Sequence, residues 1–419
     1  MIITTLSTFM ATLVGGVPVA FALGLCGLVY LLLQDAAAPT LASQLFSSLN
    51  SSGLLAIPFF ILAAEIMSRS GATIRLINLI DTLLRHTRGG LPVISVIATA
   101  LFSSICGSSV ATAAAIGTVL IPEMTKRGYD KLFSVGLIAT AGGLGILIPP
   151  SVPLVVYGMV TETSIASLFA AGGIVGLLLT VVLAFVAYLY ARKSGVEPRP
   201  KASLREIRDA FVAGIGVLLS PVIVLGGIYG GFFTPMEAAA VSCVYAILLA
   251  LSYGIGVRAL LPILTSAATM TSVIMLILAG AQLFGYAVTN ERVPHEMFNF
   301  ITSLELTRNE LIIAIMVFFL IAGMFLEVIS MILITMPILL PVLAGFDINL
   351  VFFAVLLVLN MEIAVITPPI GLNLFTISAI SNMPVMRVFR GCVPFVMILV
   401  VVLVVVALTP GMQTFFEKL

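Results

Sequence analysis

The same interruption occurs twice within long apolar runs of this sequence. Residues 148–151 (IPPS) and 367–370 (TPPI) each break a stretch that would otherwise read as one continuous membrane helix. An offset of about 219 residues superimposes the two breaks, and it also places Pro122 on Pro341. Interrupted hydrophobic segments at matching places in two halves are the usual sequence indication of a transporter's binding site. The pattern therefore predicts a protein that moves a solute.

Composition places the chain in the membrane. Hydrophobic residues make up 61% of the 419 residues and charged residues 9%, whereas soluble domains carry roughly 25% charge. The four cysteines are dispersed and form no CxxC pair, which indicates neither a metal site nor a disulfide framework. The apolar N-terminus has no basic region before it, so we interpret it as a retained helix rather than a signal peptide. We expect an all-α polytopic membrane protein.

The distribution of charge predicts the topology. Runs of roughly 20 apolar residues can span a bilayer. The sequence predicts two helical hairpins, about 90–125 and about 309–345, and full crossings near 4–33, 52–68, 131–161, 165–191, 211–231, 235–253, 259–289, 348–381 and 391–410. With a cytoplasmic N-terminus and a periplasmic C-terminus, only Arg292, Arg308 and Lys418 of the 19 Lys and Arg lie outside. That bias follows the positive-inside rule.

The order of the segments predicts two inverted repeats. The first repeat is 1–191, a cytoplasmic linker and connecting helix follow at 192–234, and the second repeat is 235–419. The first hairpin would open from the cytoplasm, flanked by Arg88 and Lys126-Arg127, and the second from outside. Two amphipathic stretches precede the hairpins, 72–86 with Ile74, Ile77, Ile80 and Leu84 on one face, and about 293–306. Chance similarity among apolar segments is the alternative.

The hairpins and the broken helices predict where ions bind. Each hairpin limb has only about 15 residues, short for a span, so we interpret the hairpins as re-entrant; two tight full crossings are the alternative. The broken helices are about 131–161 and about 348–381. Carbonyl groups and C-terminal helix ends at such breaks suit a small hard cation, and helix N-termini suit an anion. Plain proline kinks without a ligand are the alternative.

Four acidic residues within the apolar segments fall into two groups. Glu65 precedes Arg69 by four residues and predicts an ion pair within one helix, and Glu237 follows Thr234-Pro235 as in a capping box. Glu327 and Glu362 have no such local explanation, and ionisable residues at that depth are functional by default. A proton relay competes with cation binding there. No Lys or Arg is predicted at mid-membrane, which favours cation symport for an acid substrate.

Several motifs resemble one transporter family. They are 107–115 (GSSVATAAA), 121–124 (IPEM), 126–130 (KRGYD), 145–151 (GILIPPS), 323–327 (GMFLE) and 367–375 (TPPIGLNLF). Together they resemble the large membrane subunit of tripartite ATP-independent periplasmic (TRAP) transporters over essentially the whole chain. One departure is that the family often has Asp at the position of Glu327.

The resemblance implies a fold, a function and partners. It implies the inverted-repeat ion-transporter-superfamily fold with an elevator-type moving core, in a bacterial inner membrane protein. It implies sodium-coupled import of a small organic acid, such as a C4-dicarboxylate or a sialic acid, with Na+ co-transported and no organic cofactor. A periplasmic substrate-binding protein would deliver the acid, and a separate small four-helix membrane subunit would complete the scaffold. We expect no nucleic-acid partner.

The resemblance also implies site residues, by position. The first sodium site would use Ser103, Ser104, Gly142, Gly145 and Ile148, and the second would use Gly323, Met324, Ala364, Thr367 and Gly371. Substrate contacts would come from Ser108, Ser109, Thr112, Glu327, Asn373 and Thr376.

Three other classes compete with this interpretation. A stand-alone sodium/dicarboxylate symporter of the same broad fold would work without a binding protein. An intramembrane enzyme would need a serine with a base, an aspartate pair or a zinc motif, and His86 and His295 fall at opposite predicted faces; we expect no enzyme. A channel is disfavoured because hairpins in inverted repeats favour alternating access.

Overall fold

The computed structural model of the chain describes residues 2–34, 38–50, 52–87, 89–409 and 411–419. Within those ranges it contains helices and no strands. Arg88, expected beside the first hairpin, lies outside the described residues. The first half consists of α1 (Ile2–Val14), α2 (Val19–Leu33), α3 (Ala38–Leu49), a 3-10 turn (Ser52–Leu55), α4 (Ala56–Arg69), α5 (Ala72–Leu84), α6 (Gly90–Cys106), α7 (Ser109–Lys126), α8 (Lys131–Gly142), a second 3-10 turn (Gly143–Ile146), α9 (Val152–Val160) and α10 (Ile165–Lys193).

The second half follows one connecting helix, and at the 219-residue offset its helices match those of the first half from α2 onward, whereas α1 has no counterpart among them. It consists of α11 (Leu204–Tyr229), α12 (Pro235–Ser252), α13 (Val257–Asn290), α14 (Val293–Ser303), α15 (Arg308–Gly323), α16 (Val328–Gly345), α17 (Leu350–Ala364), α18 (Leu372–Ser381), α19 (Val385–Leu408) and α20 (Met412–Glu417). Six described helices are long and apolar enough to cross a bilayer, namely α10, α11, α12, α13, α16 and α19, or seven if α4 and α5, bent by 64°, count as one broken span.

The prediction of one crossing at 4–33 is wrong. The chain turns at Gly15–Pro18, where Gly16 has a φ of +80° and Pro18 precedes α2. The Cys26 thiol lies 3.4 Å from the Thr5 carbonyl oxygen, so α1 and α2 run side by side in opposite directions. Glycine permits the left-handed conformation and proline cannot continue a helix. Neither interrupts the hydropathy, which is why the run looked continuous.

Helix α3 was also not expected from the sequence. At the 219-residue offset, α3 and α4 together correspond to the single long helix α13, which has 34 residues. Asn50, which is not helical, and a 3-10 turn that begins at Ser52 lie between α3 and α4, whereas the corresponding part of α13 contains Thr269 and Met270 and stays helical. The two halves therefore differ here in how the chain is divided into helices, even though the order of the later elements agrees.

Helix α5 packs differently from the predicted amphipathic face. Ile77 and Ile80 are buried as expected, but Ile74 is 53% exposed and Leu76 is buried in its place. The polar side of α5 is anchored by Asp81, whose carboxylate lies 2.9 Å from the Arg199 guanidinium and 3.6 Å from that of Arg127.

The centre of the molecule is formed by α8 and α17. Residues 134–142 of α8 and 351–364 of α17 are all buried, on every side of each helix. A helix that is apolar and buried all round belongs to a core rather than to a lipid-facing surface. By contrast, α10 and α19 expose large apolar side chains, including Leu177, Phe185 and Met397. The two central helices are the ones that break, and the breaks position the candidate site.

Candidate functional site

The turn of the first hairpin lies against the first break. Helix α6 ends at Cys106, Gly107 follows with a φ of +60°, and Ser108 caps α7 by accepting a hydrogen bond from the Ala111 amide. A Cβ atom at Gly107 would lie 2.8 Å from the Pro150 carbonyl oxygen. Glycine is required here both by the left-handed backbone and by the close approach.

The first set of predicted sodium residues gathers around this contact, with one exception. A Cβ atom at Gly145 would lie 2.6 Å from the Ser108 carbonyl oxygen, and one at Gly142 would lie 2.6 Å from the Ala113 side chain. Ser103 is fully buried at the end of α6, and its hydroxyl has no hydrogen-bond partner in the described part of the chain. Ser104, beside it, donates to the Leu101 carbonyl oxygen. The exception is Ile148, whose side chain packs against Gly176 of α10.

The second set gathers in the same way around the second hairpin turn. A Cβ atom at Gly323 would lie 2.7 Å from the Met361 sulfur and 2.9 Å from the Ala364 side chain. The Gly371 amide donates to the Met324 carbonyl oxygen at 3.4 Å. Thr367 precedes Gly371 in the break, and its hydroxyl donates to the Ile363 carbonyl oxygen. In both halves, small residues let a hairpin turn approach an unwound segment closely.

Asn373 connects the two halves. This residue of α18 is fully buried, and its amide nitrogen donates to the Ser109 hydroxyl at 2.7 Å and to the Ala139 carbonyl oxygen at 3.1 Å. Both acceptors belong to the first half, one to the first hairpin and one to α8. A side chain predicted to bind substrate is thus engaged in holding the first hairpin, the first broken helix and α18 together.

A second connection joins Glu362 to Gly143. The Glu362 side chain is fully buried, and both carboxylate oxygens have no hydrogen-bond partner in the described ranges. A Cβ atom at Gly143 would lie 2.4 Å from Glu362 Cγ. The two residues occupy the same place in the two halves, 219 residues apart. Contact between a residue and its own equivalent is what a two-fold axis between two halves produces.

The structure gives Glu327 a local explanation that the sequence did not suggest. Its carboxylate accepts hydrogen bonds from the Ile329 and Ser330 amides, at 2.9 and 3.4 Å, and so caps the N-terminus of α16. Its equivalent in the first half is Ser108, which caps α7 with a neutral hydroxyl. Asp, Ser and Asn are the preferred caps because their short side chains reach the free amides, so a glutamate cap is easily overlooked in a sequence.

A cavity of about 470 Å³ opens between the two hairpin turns and two neighbouring helices. Ile61, Ala64, Glu65 and Ser68 of α4 form one wall, and Met270, Val273, Ile274 and Ile277 of α13 form another. Both sets have the spacing i, i+3, i+4, i+7 that places residues on one helix face. The hairpins contribute residues 106–111 and 327–330. The volume falls within the range of small-molecule sites.

Three of the six predicted substrate residues line this cavity: Ser108, Ser109 and Glu327. Thr112 is buried behind them, its hydroxyl 2.9 Å from the position of a Gly145 Cβ atom. Asn373 lies behind Ser109 as described, and Thr376, which is not among the lining residues, donates its hydroxyl to the Leu372 carbonyl oxygen. Sequence reasoning missed both helix walls, although their i, i+3, i+4, i+7 spacing is visible in the sequence.

Two predicted local interactions are confirmed elsewhere on the helices. Glu65 and Arg69 form an ion pair with 3.0 Å between Oε2 and Nε. Thr234 and Glu237 form a capping box at the start of α12. Glu65 was expected to have this structural role alone, yet its side chain also lines the cavity. His86 and His295 are both exposed, His86 in the turn that follows α5 and His295 in α14.

The chain is similar to known proteins over nearly its whole length. The family described as "Tripartite ATP-independent periplasmic transporter, DctM component" matches residues 6–412. A C4-dicarboxylate TRAP transporter large permease protein DctM of Pseudomonas aeruginosa is 41% identical over 93% of this chain and 92% of its own length. A sialic acid TRAP transporter large permease protein SiaM of Vibrio cholerae is 35% identical over 98% of this chain and 97% of its own.

Two further similarities bear on subunit composition and fold. An isethionate TRAP transporter permease protein DctMQ of Oleidesulfovibrio alaskensis is 34% identical over 97% of this chain, which covers 65% of that protein. The crystal structure of the YdaH transporter of Alcanivorax borkumensis matches 90% of this chain and 88% of its own with a TM-score of 0.66 at 13% identity. At that identity the similarity concerns the fold alone.

Proposed function

Because the chain belongs to the DctM component family of tripartite ATP-independent periplasmic transporters, we propose that it is a sodium-coupled permease that imports a small organic acid. The observation that carries the proposal is the paired arrangement of two hairpin turns, each held against an unwound segment, on either side of one cavity. Unwound backbone within a membrane protein persists only where it is buried or lines a cavity.

Sodium coupling is supported by the chemistry of the two breaks. Their polar atoms are carbonyl oxygens and hydroxyls, which are ligands for a small hard cation. Ser103 supplies a buried hydroxyl with no partner among the described residues, beside the glycines that bring the backbone close. The ten residues given above for the two sodium sites remain our proposal, with Ile148 contributing through its backbone alone.

The acid substrate is proposed from the relatives and from the cavity. Three of the relatives are named as permeases for C4-dicarboxylates, sialic acid and isethionate, all of which are acids. The cavity includes the N-terminus of α7, whose cap Ser108 is neutral. A helix N-terminus with a neutral cap attracts an anion, and two bound sodium ions would add positive charge nearby.

We further propose that the permease works with a small four-helix membrane subunit and a periplasmic binding protein. The name DctMQ of one relative, of which this chain covers 65%, is consistent with a second component fused to the permease in that protein. In the present case we propose a separate polypeptide.

We also propose a topology and a motion for the permease. The two hairpins would be re-entrant, and the two halves would be inverted in the membrane. The core, with α8 and α17, would move as an elevator within the scaffold.

The decisive experiment is uptake into proteoliposomes that contain the permease, its small subunit and the binding protein. We expect labelled succinate or N-acetylneuraminate to accumulate in an inward sodium gradient and not in a potassium gradient. A Gly145→Ala variant should raise the half-saturating sodium concentration, because its Cβ would meet the Ser108 carbonyl oxygen at 2.6 Å. Gly173→Ala, whose Cβ would make only ordinary contacts at 3.5 Å, is the matched control. Uptake that ignores sodium would refute the proposal.

The same preparation tests the alternative and the proposed orientation. Full-rate uptake of free acid without the binding protein would favour a stand-alone sodium/dicarboxylate symporter. The chain's four cysteines are buried, so an impermeant maleimide should label only a cysteine introduced at the surface. With a cytoplasmic N-terminus and a periplasmic C-terminus, we expect Lys418→Cys to react in intact cells and Lys201→Cys to react only after lysis.

A further inference from the structure

The charges around the cavity are unevenly distributed. Among the described residues that line it, the charged ones are Glu65 and Glu327, and none is basic. Glu327 is held by two backbone amides of α16. Glu65 instead pairs with a side chain, the guanidinium of Arg69, which lies one helical turn further along α4. Arg69, which directly follows the lining residue Ser68, is therefore already paired with a carboxylate of the cavity wall.

Arg69 is positioned where the two helix walls continue beyond the cavity. Its Nε lies 3.0 Å from Glu65, and one terminal nitrogen donates to the Ser266 hydroxyl of α13 at 2.9 Å. Ser266 precedes Met270, a lining residue, by one helical turn, and Arg69 follows Ser68, another lining residue, directly. The guanidinium thus spans α4 and α13 at one end of the cavity, and its side chain is 49% exposed.

Building on the proposed function, we propose that Arg69 binds the carboxylate of the transported acid at this end of the cavity, in competition with Glu65. A guanidinium can hold a carboxylate through two parallel hydrogen bonds. Its present pairing with Glu65 is a partly exposed ion pair within one helix, an interaction weak enough to be exchanged. In the proposed orientation this end of the cavity faces the cytoplasm, so Glu65 would displace the acid from Arg69 as the acid leaves.

The two partners should respond to neutralisation in opposite directions. Removing the Arg69 charge removes the group that attracts the acid, and Arg69→Gln should raise the half-saturating concentration of the acid about five- to tenfold. Removing the Glu65 charge removes the competitor, and Glu65→Gln should lower that concentration about two- to fivefold. Arg69→Lys should lie between wild type and Arg69→Gln, because an ammonium group keeps the charge without the planar fork.

The measurement is equilibrium binding of labelled acid to the purified complex of permease and small subunit, at saturating sodium, by scintillation proximity. The probe is whichever of succinate, N-acetylneuraminate and isethionate the wild type accumulates in a sodium gradient. Arg258→Gln is the matched control, since Arg258 is exposed on α13 and its replacement by glutamine removes the same charge. The half-saturating acid concentration of Arg258→Gln should stay within about twofold of wild type. In a separate sodium titration, the half-saturating sodium concentration of all four variants should also stay within about twofold of wild type.

Each outcome decides the matter. Shifts of opposite sign for Arg69→Gln and Glu65→Gln support the inference. If both variants weaken binding, or neither differs from Arg258→Gln, then the pair only fixes α4 to α13 and the inference is wrong while the proposed function stands. Accumulation of none of the three acids by the wild type overturns the proposed function and this inference with it.

Discussion

A methyl group at Gly143 should destabilise the protein through its contact with Glu362. The new Cβ atom would lie 2.4 Å from Glu362 Cγ and 3.0 Å from Cδ, whereas carbon atoms pack best at about 3.5 to 4.0 Å. Gly143 has a φ of −58° and a ψ of −28°, which alanine adopts without strain. Glu362 is fully buried and has no solvent to move into. Overpacking of this kind costs about 1 to 3 kcal/mol.

The corresponding change in melting temperature can be worked out from chain length. An unfolding entropy of about 2.1 cal/mol/K per residue gives about 0.9 kcal/mol/K for 419 residues. Gly143→Ala should therefore melt about 1 to 3 °C below Gly173→Ala, which makes the same substitution against ordinary contacts at 3.5 Å. The chain has no tryptophan and its four cysteines are buried, so a thiol-reactive dye is the suitable reporter of unfolding in detergent.

A second substitution isolates the contact itself. Glu362→Ala removes Cγ and the carboxylate, so the methyl group of Gly143→Ala then enters space that the glutamate has left. We expect Gly143→Ala to be neutral or stabilising in that background, with a coupling energy of about 1 to 3 kcal/mol between the two sites. An equal loss of stability in both backgrounds would show that the two residues do not touch, and the reasoning would fail.

Three further substitutions test other contacts by the same melting assay. Glu327→Ala removes the cap of α16 and should lower the free energy of unfolding by about 1 kcal/mol. If the free energy of acid binding falls by more than that, Glu327 also acts directly in the cavity. Asn373→Ala should cost about 1 to 3 kcal/mol by leaving its two acceptors unsatisfied, and no change in melting would contradict the bridge between the halves. Gly136→Ala should be strongly destabilising because its Cβ would lie 2.0 Å from the Gly391 carbonyl oxygen, whereas Gly226→Ala, with open space around it, should be tolerated.

The sequence predicted the elements whose signals are local and strong. Proline pairs identified both breaks, and the long apolar runs identified α10, α12 and α13 within a few residues. The failed crossing at 4–33 shows the limit, because glycine and proline change the direction of a chain without lowering its hydropathy. Helix α3 was missed for the related reason that its polar and apolar residues form no span-length run.

The candidate site was predictable to the extent that it depends on backbone. Gly145 of the first break and Gly371 of the second each lie close to a hairpin turn, and their role in sodium binding stays a prediction. The cavity walls could not be predicted, because they depend on which faces of α4 and α13 are brought opposite the hairpins by tertiary packing. The role of Asn373 likewise depends on Ser109, 264 residues away. The Glu327 cap is local, two residues from the Ile329 amide, and was missed because glutamate is not a preferred cap.

The contact between Gly143 and Glu362 has an implication for how the two halves can evolve. If the chain arose by gene duplication, its halves no longer carry interchangeable sequences at their point of contact. A protein assembled from two copies of the first half would face glycine with glycine and leave a void, while two copies of the second half would force two buried carboxylates together. If both halves descend from one ancestor, they have therefore become complementary at this point of contact and are no longer identical.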